Sequence, residues 1–337
     1  MFLASVRLVF LLATLVASLH VAAAPRVWTL TDVREGGAVP GSSGAVASGY
    51  FIYDDVAHTI SNWNVRVTNP SAVDFPAFTY IPGNSLMYVY LGSNAPTLGF
   101  SAAMGVPGAD FGVRQLQFAP LAALDGSNAS VSLESGESRE DFIDIGPTER
   151  RSIAGSLALT PAEPAMVIVQ VDEFYNAALR HYFMTASAKE KQDLDTGVDS
   201  GWVRTGESFK AYATGSSAGG AINPVCGYYS PPDQEFGPPG VDSHFYSADA
   251  GECLSVFRKY PSGYWFQESD NVFQIDLPDK ATGACPSGTI PVYRLWNQRA
   301  DSNHRYTTSA AIKAQMLAAG YLAEGYGADG VAMCAVQ

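Results

Sequence analysis

The rhythm of apolar and polar positions changes twice along the chain. Leu8 to Leu19 is almost wholly apolar and follows a short segment with one basic residue, Arg7. From Trp28 to about Pro164, short runs alternate apolar and polar residues and are separated by Gly, Asn, Ser and Pro. Ala47 to Tyr53, Trp63 to Thr68, Leu86 to Leu91, Gln115 to Phe118, Val131 to Leu133 and Ser152 to Leu159 are the clearest. Successive side chains of a strand face opposite ways, so period two predicts half-buried strands, and no run here carries a helical stripe. The pattern predicts an all-β N-terminal β-sandwich, jelly-roll-like, over 24–164. Beyond Val167 strands and short helical stretches mix, which predicts an α+β domain over 168–337.

That second part repeats three times. Val171 to Asn176, Val225 to Ser230 and Val292 to Asn297 each read as a strand ending in two large side chains and a turn former. Downstream lie His181-Tyr182-Phe183-Met184-Thr185, His244-Phe245-Tyr246-Ser247 and His304-Arg305-Tyr306-Thr307, which places three histidines at one repeat position. Ser187 with Glu190 and Asp249 with Glu252 have the spacing of a helix capping box; Ser309 serves as a third cap with Ile312 in place of the Glu. Each helix gives way to an aromatic-led strand, at Trp202, Trp265 and Tyr321, and then to a closing strand. The units span about 168–213, 222–277 and 285–337. They predict pseudo-threefold packing around one core, with a β-trefoil-like or small propeller-like arrangement open.

Composition narrows the classes. The 337 residues are 47% hydrophobic with a formal net charge of −13, too apolar for a disordered chain and too acidic for a nucleic-acid partner, which needs clustered Lys and Arg. The apolar run of Leu8 to Leu19, with Val21 and Ala23 as small residues before a cleavage point, predicts a signal peptide over 1–23. A run of about 12 is shorter than the roughly 20 residues a spanning helix needs, so no membrane span is expected, and the location is secreted or periplasmic/extracellular. All four cysteines, Cys226, Cys253, Cys285 and Cys334, lie in the last third. Export and an even count favour two disulfides over zinc, which prefers closely spaced cysteine pairs. Three connectivities remain open.

Two resemblances follow from particular residues. Trp28-Thr29-Leu30 with Val33, Gly49-Tyr50-Phe51-Ile52-Tyr53-Asp54, Gly155-Ser156-Leu157 and Pro161 to Pro164 resemble the β-sandwich type found in PEP-CTERM-associated exported bacterial proteins, without the sorting helix and basic tail that follow there. The histidine-aromatic-hydroxyl segments, the capped helices, the aromatic-led strands and the terminal Val331 to Cys334 look like the exported bacterial repeat family called domain of unknown function 5648. Thr205, Ser269 and Arg305 depart from its pattern. That resemblance implies an accessory or binding role on secreted or cell-wall-associated proteins, and no chemistry. The repeat further predicts pairing within units, Cys226 with Cys253 and Cys285 with Cys334.

The candidate ligand-binding residues are His181, His244, His304, Trp202, Trp265, Trp296, Tyr321 and Glu324. The histidines have three readings: convergence on a metal ion, a ligand pocket in each unit, or ring nitrogens bonded to turn carbonyls. The aromatics suit sugar faces or a core, with Glu268 and Asn297 as further hydroxyl partners. No carboxylate pair, nucleophile elbow, metalloprotease helix or phosphate loop stands out, so no catalytic residue, metal or cofactor is assigned. Tyr53-Asp54-Asp55 and Asp193 to Asp199 read as turns rather than calcium sites, and Glu134 to Asp144 as a solvated acidic loop. The expected function is non-catalytic binding of extracellular glycan or cell-wall polymer. The alternatives are a hydrolase using His244 or His304 as base, and a structural matrix or surface component.

Overall fold

The computed structural model describes residues 25–35, 45–68, 77–104, 112–143, 148–161, 165–216, 222–232, 240–260 and 264–337. The leader 1–23 and the segment 162–164 lie outside the described residues.

Ten strands precede Pro161: Arg26–Glu35 (β1), Val46–Asp54 (β2), Thr59–Val67 (β3), Phe78–Tyr80 (β4), Leu86–Leu91 (β5), Pro96–Met104 (β6), Gly112–Phe118 (β7), Ser130–Ser132 (β8), Arg139–Ile143 (β9) and Thr148–Thr160 (β10). They run β4-β3-β2-β1-β10-β9-β7-β6-β5, with β8 on β10. The long β10 serves two layers: Thr148 to Ser152 pair with β9, and Ile153 to Thr160 pair with β1. The alternating apolar positions meet between these layers. Phe51 lies 6.2 Å from Phe100 and 6.3 Å from Phe118, ring to ring, and Trp63 lies 5.6 Å from Phe100.

The acidic run from Glu134 to Asp144 does not form the expected solvated loop throughout, because β9 runs through it. Arginines make this burial possible. Glu140 accepts from Arg114 Nε at 2.7 Å, Arg151 Nη2 at 2.5 Å and Tyr80 OH at 2.9 Å, while Asp141 pairs with Arg139 and Arg150. Burial pushes the Glu140 carboxyl up, but Arg114 and Arg151 outweigh it and hold it below its usual range. Asp54 is a turn former, accepting from the Val56 and Ala57 N–H groups.

The first unit comprises Ile168–Asn176 (β11), His181–Thr185 (β12), helix Ala188–Thr196 (α1) and Trp202–Tyr212 (β13). The second comprises Ile222–Pro224 (β14), Cys226–Ser230 (β15), Ser243–Ser247 (β16), Ala250–Lys259 (α2), Phe266–Ser269 (β17) and Gln274–Asp276 (β18). The third comprises Thr289–Trp296 (β19), His304–Thr307 (β20), Ala310–Ala318 (α3), Leu322–Glu324 (β21) and Val331–Val336 (β22). In every unit one strand is central: β11 pairs with β12 and β13, β15 with β16 and β17, β19 with β20 and β21. The strands form antiparallel sheets without closing a barrel.

The caps fix how the units align. Ser187, Asp249 and Ser309 accept the N–H of Glu190, Glu252 and Ile312, and each cap's own N–H is held by a hydroxyl two residues upstream, Thr185, Ser247 or Thr307. Counted from these caps, His244 and His304 are equivalent, but His181 stands one place earlier, level with Ser243 and Asn303. Tyr182 takes the histidine position in unit one. The expected threefold histidine is therefore twofold, because unit one's second strand keeps one more residue between the histidine and the cap.

His181, Ser243 and Asn303 lie at the centre of the pseudo-threefold arrangement, each following a residue in the left-handed region, Arg180, Asp242 and Ser302 at φ 60°, 50° and 37°. His181 Nδ1 bonds the Asp242 carbonyl at 2.7 Å, Ser243 Oγ donates to the Ser302 carbonyl at 2.9 Å, and Asn303 Nδ2 donates to the Tyr182 carbonyl at 3.0 Å. The bonds run from unit one to two, two to three and three to one. Below this ring Val171, Val225, Val292, Met184, Tyr246 and Tyr306 form the shared core.

Both disulfides form within units: Cys226–Cys253 ties β15 to α2, and Cys285–Cys334 ties the start of unit three to β22. The two parts of the chain touch through Asp270, which accepts from Arg66 Nε at 2.7 Å and Thr79 Oγ1 at 2.8 Å, and through Leu254 of α2, which packs into the first core. Among the described residues no helix is long and apolar enough to cross a membrane.

Candidate functional site

Two residues after the buried Val171, Val225 and Val292, one position of each central strand lies toward the helix of the preceding unit. The three occupants are Glu173, Gly227 and Arg294.

Between units two and three, Arg294 fills the space. Its guanidinium donates to Glu252 of α2 at 2.7 and 2.9 Å and to Glu324 at 3.0 Å, and it lies 4.9 Å over the Phe245 ring. His304 Nε2 sits 3.2 Å from Glu324. Burial pushes the Glu324 carboxyl up, yet His304 and Arg294 hold it below its usual range. Between units one and three the charges are exchanged. Glu173 takes Arg305 Nη2 at 2.8 Å and Nε at 2.9 Å, with the Thr205 hydroxyl at 2.7 Å, and Ile312 stands where α2 carries Glu252.

Between units one and two Gly227 brings no side chain, and a Cβ there would point at Val272 and the Tyr246 ring, which stand on the wall of an open space. A cavity of about 740 Å³ lies there, walled by Phe183, Trp202, Tyr229 and Tyr246. Glu190, Asp199, Asp242 and Glu268 supply four carboxylates, and no described Lys or Arg lines it. Glu190 follows the capping logic of α1, and the Thr185 hydroxyl donates to it. His244 stacks on Tyr229 with ring centroids 4.4 Å apart and points Nε2 at Glu268, 3.5 Å away. Burial, and then the nearby Glu190 charge, push the Glu268 carboxyl up to about 7. Burial, and then His181, push His244 down to about 3, so its ring is neutral at pH 7.

Of the residues expected to bind ligand, His244 and Trp202 come together in this cavity. The others lie elsewhere. His181 belongs to the central ring and also contacts Asp301 at 3.2 Å; Trp265 is buried beside the Cys226–Cys253 bridge. His304 and Glu324 are engaged with Arg294. Trp296 donates Nε1 to Ser302 Oγ at 3.2 Å, and Tyr321 is half-buried on the unit-three side. The three histidines do not share one pocket, and among the described residues no group of three His, Cys, Asp or Glu side chains is placed to hold a metal ion. Glu190 escaped selection because its capping role explained it, and Tyr229 because half of a Tyr-Tyr pair reads as core. Gly227 aligned with Arg294 is the signal in the sequence that marks the open interface. No protein-family model, curated protein or solved structure matches the chain.

Proposed function

We propose that this is an exported, non-catalytic binding protein that takes a sugar of an extracellular or cell-wall polymer into the cleft between its first two repeat units. The observation that carries the reading is the cavity between units one and two, which aromatic rings and several carboxylates line together. Flat aromatic rings suit the C–H faces of sugars, and carboxylates suit their hydroxyls. The apolar leader and the paired cysteines fit export, and the resemblance to the exported repeat family fits an accessory role. Among the described residues the interface between units one and two is the one that holds such a cavity, so the reading is of one site, not three acting by avidity.

Hydrolysis is the second reading, favoured by two carboxylates, Glu190 and Glu268, in one cavity with Glu268 pushed up toward an acid's range. Its histidine version loses support, since His244 is a weak base at about 3 and His304 is buried against Glu324. Retention on peptidoglycan, chitin, chitosan and cellulose tests the first reading. Trp202→Ala is expected to abolish retention and Trp296→Ala to leave it intact. No retention on any polymer would overturn it, and release of reducing ends from a retained polymer would favour the second.

A further inference from the structure

We infer that the cleft between units one and two is a receptor for an organic cation, and that its ligand is a polymer of amino sugars with free 2-amino groups. The inference rests on the binding reading above and narrows it. Its template lies within the same chain, in the cage that holds Arg294. There Glu252, Glu324 and the Phe245 ring surround a guanidinium. Counted from the helix caps and the central strands, Glu190 replaces Glu252, Glu268 replaces Glu324, Phe183 replaces Phe245 and His244 replaces His304. Every member of the cage is kept except the cation itself, whose place is taken by Gly227.

The third interface shows what happens when a cage is given up. With Glu173 in the arginine's place, the acid on the helix becomes Ile312, the acid on the following strand becomes Thr205, and the ring becomes Arg305. Arg305 balances Glu173 there, and around Arg294 one guanidinium offsets part of the charge of two carboxylates. At Gly227 the acids remain although no described Lys or Arg lines the cavity. Glu190 and Glu268 are solvent-exposed but close enough for the Glu190 charge to act on Glu268, and an incoming cation relieves that repulsion. Trp202 and Tyr229 add aromatic faces, which attract ammonium and guanidinium groups. An acetylated amine carries no charge and gains nothing from this cage.

Calorimetry on the full mature chain at pH 6.5, where the sugar amines are largely protonated, and at low salt tests the inference with three probes: a glucosamine tetramer, its N-acetylated counterpart, and ethylguanidinium as a copy of the Arg294 head group. The free-amine tetramer is expected to bind at least about tenfold more tightly than the acetylated one, with ethylguanidinium competing. Glu268→Gln is expected to weaken binding by about fivefold, the loss expected of a half-exposed, partly screened ionic contact. Gly227→Arg is expected to fill the cage from inside and abolish binding. Its Cβ falls 3.0 Å from Val272 Cγ1, so Glu268→Gln carries the test if that variant fails to fold. Equal binding of both tetramers, or full affinity in Glu268→Gln, overturns the cation while leaving the sugar site standing. Binding of ethylguanidinium alone upholds the cage and overturns the sugar, and binding of none of the probes overturns both.

Discussion

Gly227 and Arg294 occupy one position in two copies of the same unit, each opposite a buried tyrosine of the neighbouring hairpin strand, Tyr246 and Tyr306. Where Arg294 stands, its guanidinium joins Glu252 to Glu324 across an interface. Where Gly227 stands, the corresponding acids face an open cavity. One side chain thus marks the difference between a filled interface and one that holds a cavity.

Removing Arg294 tests the first half of that statement. Arg294→Ala leaves Glu252 and Glu324 facing each other without a cation. Losing one partner of a buried pair costs about 3–5 kcal/mol, and partial exposure of the two glutamates brings the expected loss to about 3 kcal/mol. Urea denaturation measures it. A loss under about 1 kcal/mol would mean the pair is only surface decoration.

The central ring makes a different prediction. Asn303 is fully buried, donates to the Tyr182 carbonyl and Ser243 Oγ at 3.0 Å each, and accepts from the Tyr182 N–H at 2.7 Å. Asn303→Ala strands these groups away from water, at a cost of about 2–3 kcal/mol. Amide exchange at Tyr182 should speed up more than at its neighbours in β12. Uniform acceleration across all three units would mean that global stability, not the ring, had changed.

Local rules made much of this architecture legible. The cap-forming Ser187, Asp249 and Ser309, the period-two strands and the within-unit cysteine pairs all depend on residues close in sequence or on one repeat length. What escaped depends on contacts between distant segments. β9 is acidic and reads as solvated until Arg114 and Arg151 are brought against Glu140. The register of His181 is set by its distance to the Ser187 cap, one residue longer than in the other units, and not by its identity as a histidine. The open interface was hidden because no rule of a single unit says which side chain faces the neighbouring helix.

The disulfides predict an order of effects. The Cys285–Cys334 bridge spans 49 residues and the Cys226–Cys253 bridge spans 27. Loop entropy gives about 4 kcal/mol for the first and about 3.5 kcal/mol for the second. Paired Cys→Ala variants, unfolded in urea, should rank in that order. A larger loss at Cys226–Cys253 would point to packing of α2 against both cores as the dominant effect.

Glu268 predicts a pH signature. Its folded-state pKa is raised from 4.5 to about 7, so over this window the folded chain holds a proton that the unfolded chain has released. The stability contributed by Glu268 is therefore fully present below about 4.5 and is lost as pH rises through about 7. The groups facing it are Glu190 from α1, His244 and Tyr229 from the hairpin, and Asp199 and Asp242 at the rim. His244 stays neutral across the window because its own pKa is near 3. Glu268→Gln has no such proton, so it should gain on the wild type as pH climbs, reaching about 1 kcal/mol by pH 8 once screening of this half-exposed side chain is allowed for. A bound cation acts in the opposite sense, lowering the carboxyl pKa, so affinity for ethylguanidinium, which keeps its charge throughout, should rise through pH 7 with proton release near pH 6.5. Thermal melts of both proteins from pH 4 to 8 check the first effect, and calorimetry in buffers of different ionisation enthalpy checks the second. A pH-independent difference between the two melts would remove Glu268 from the shared carboxylate environment on which the proposed binding site depends.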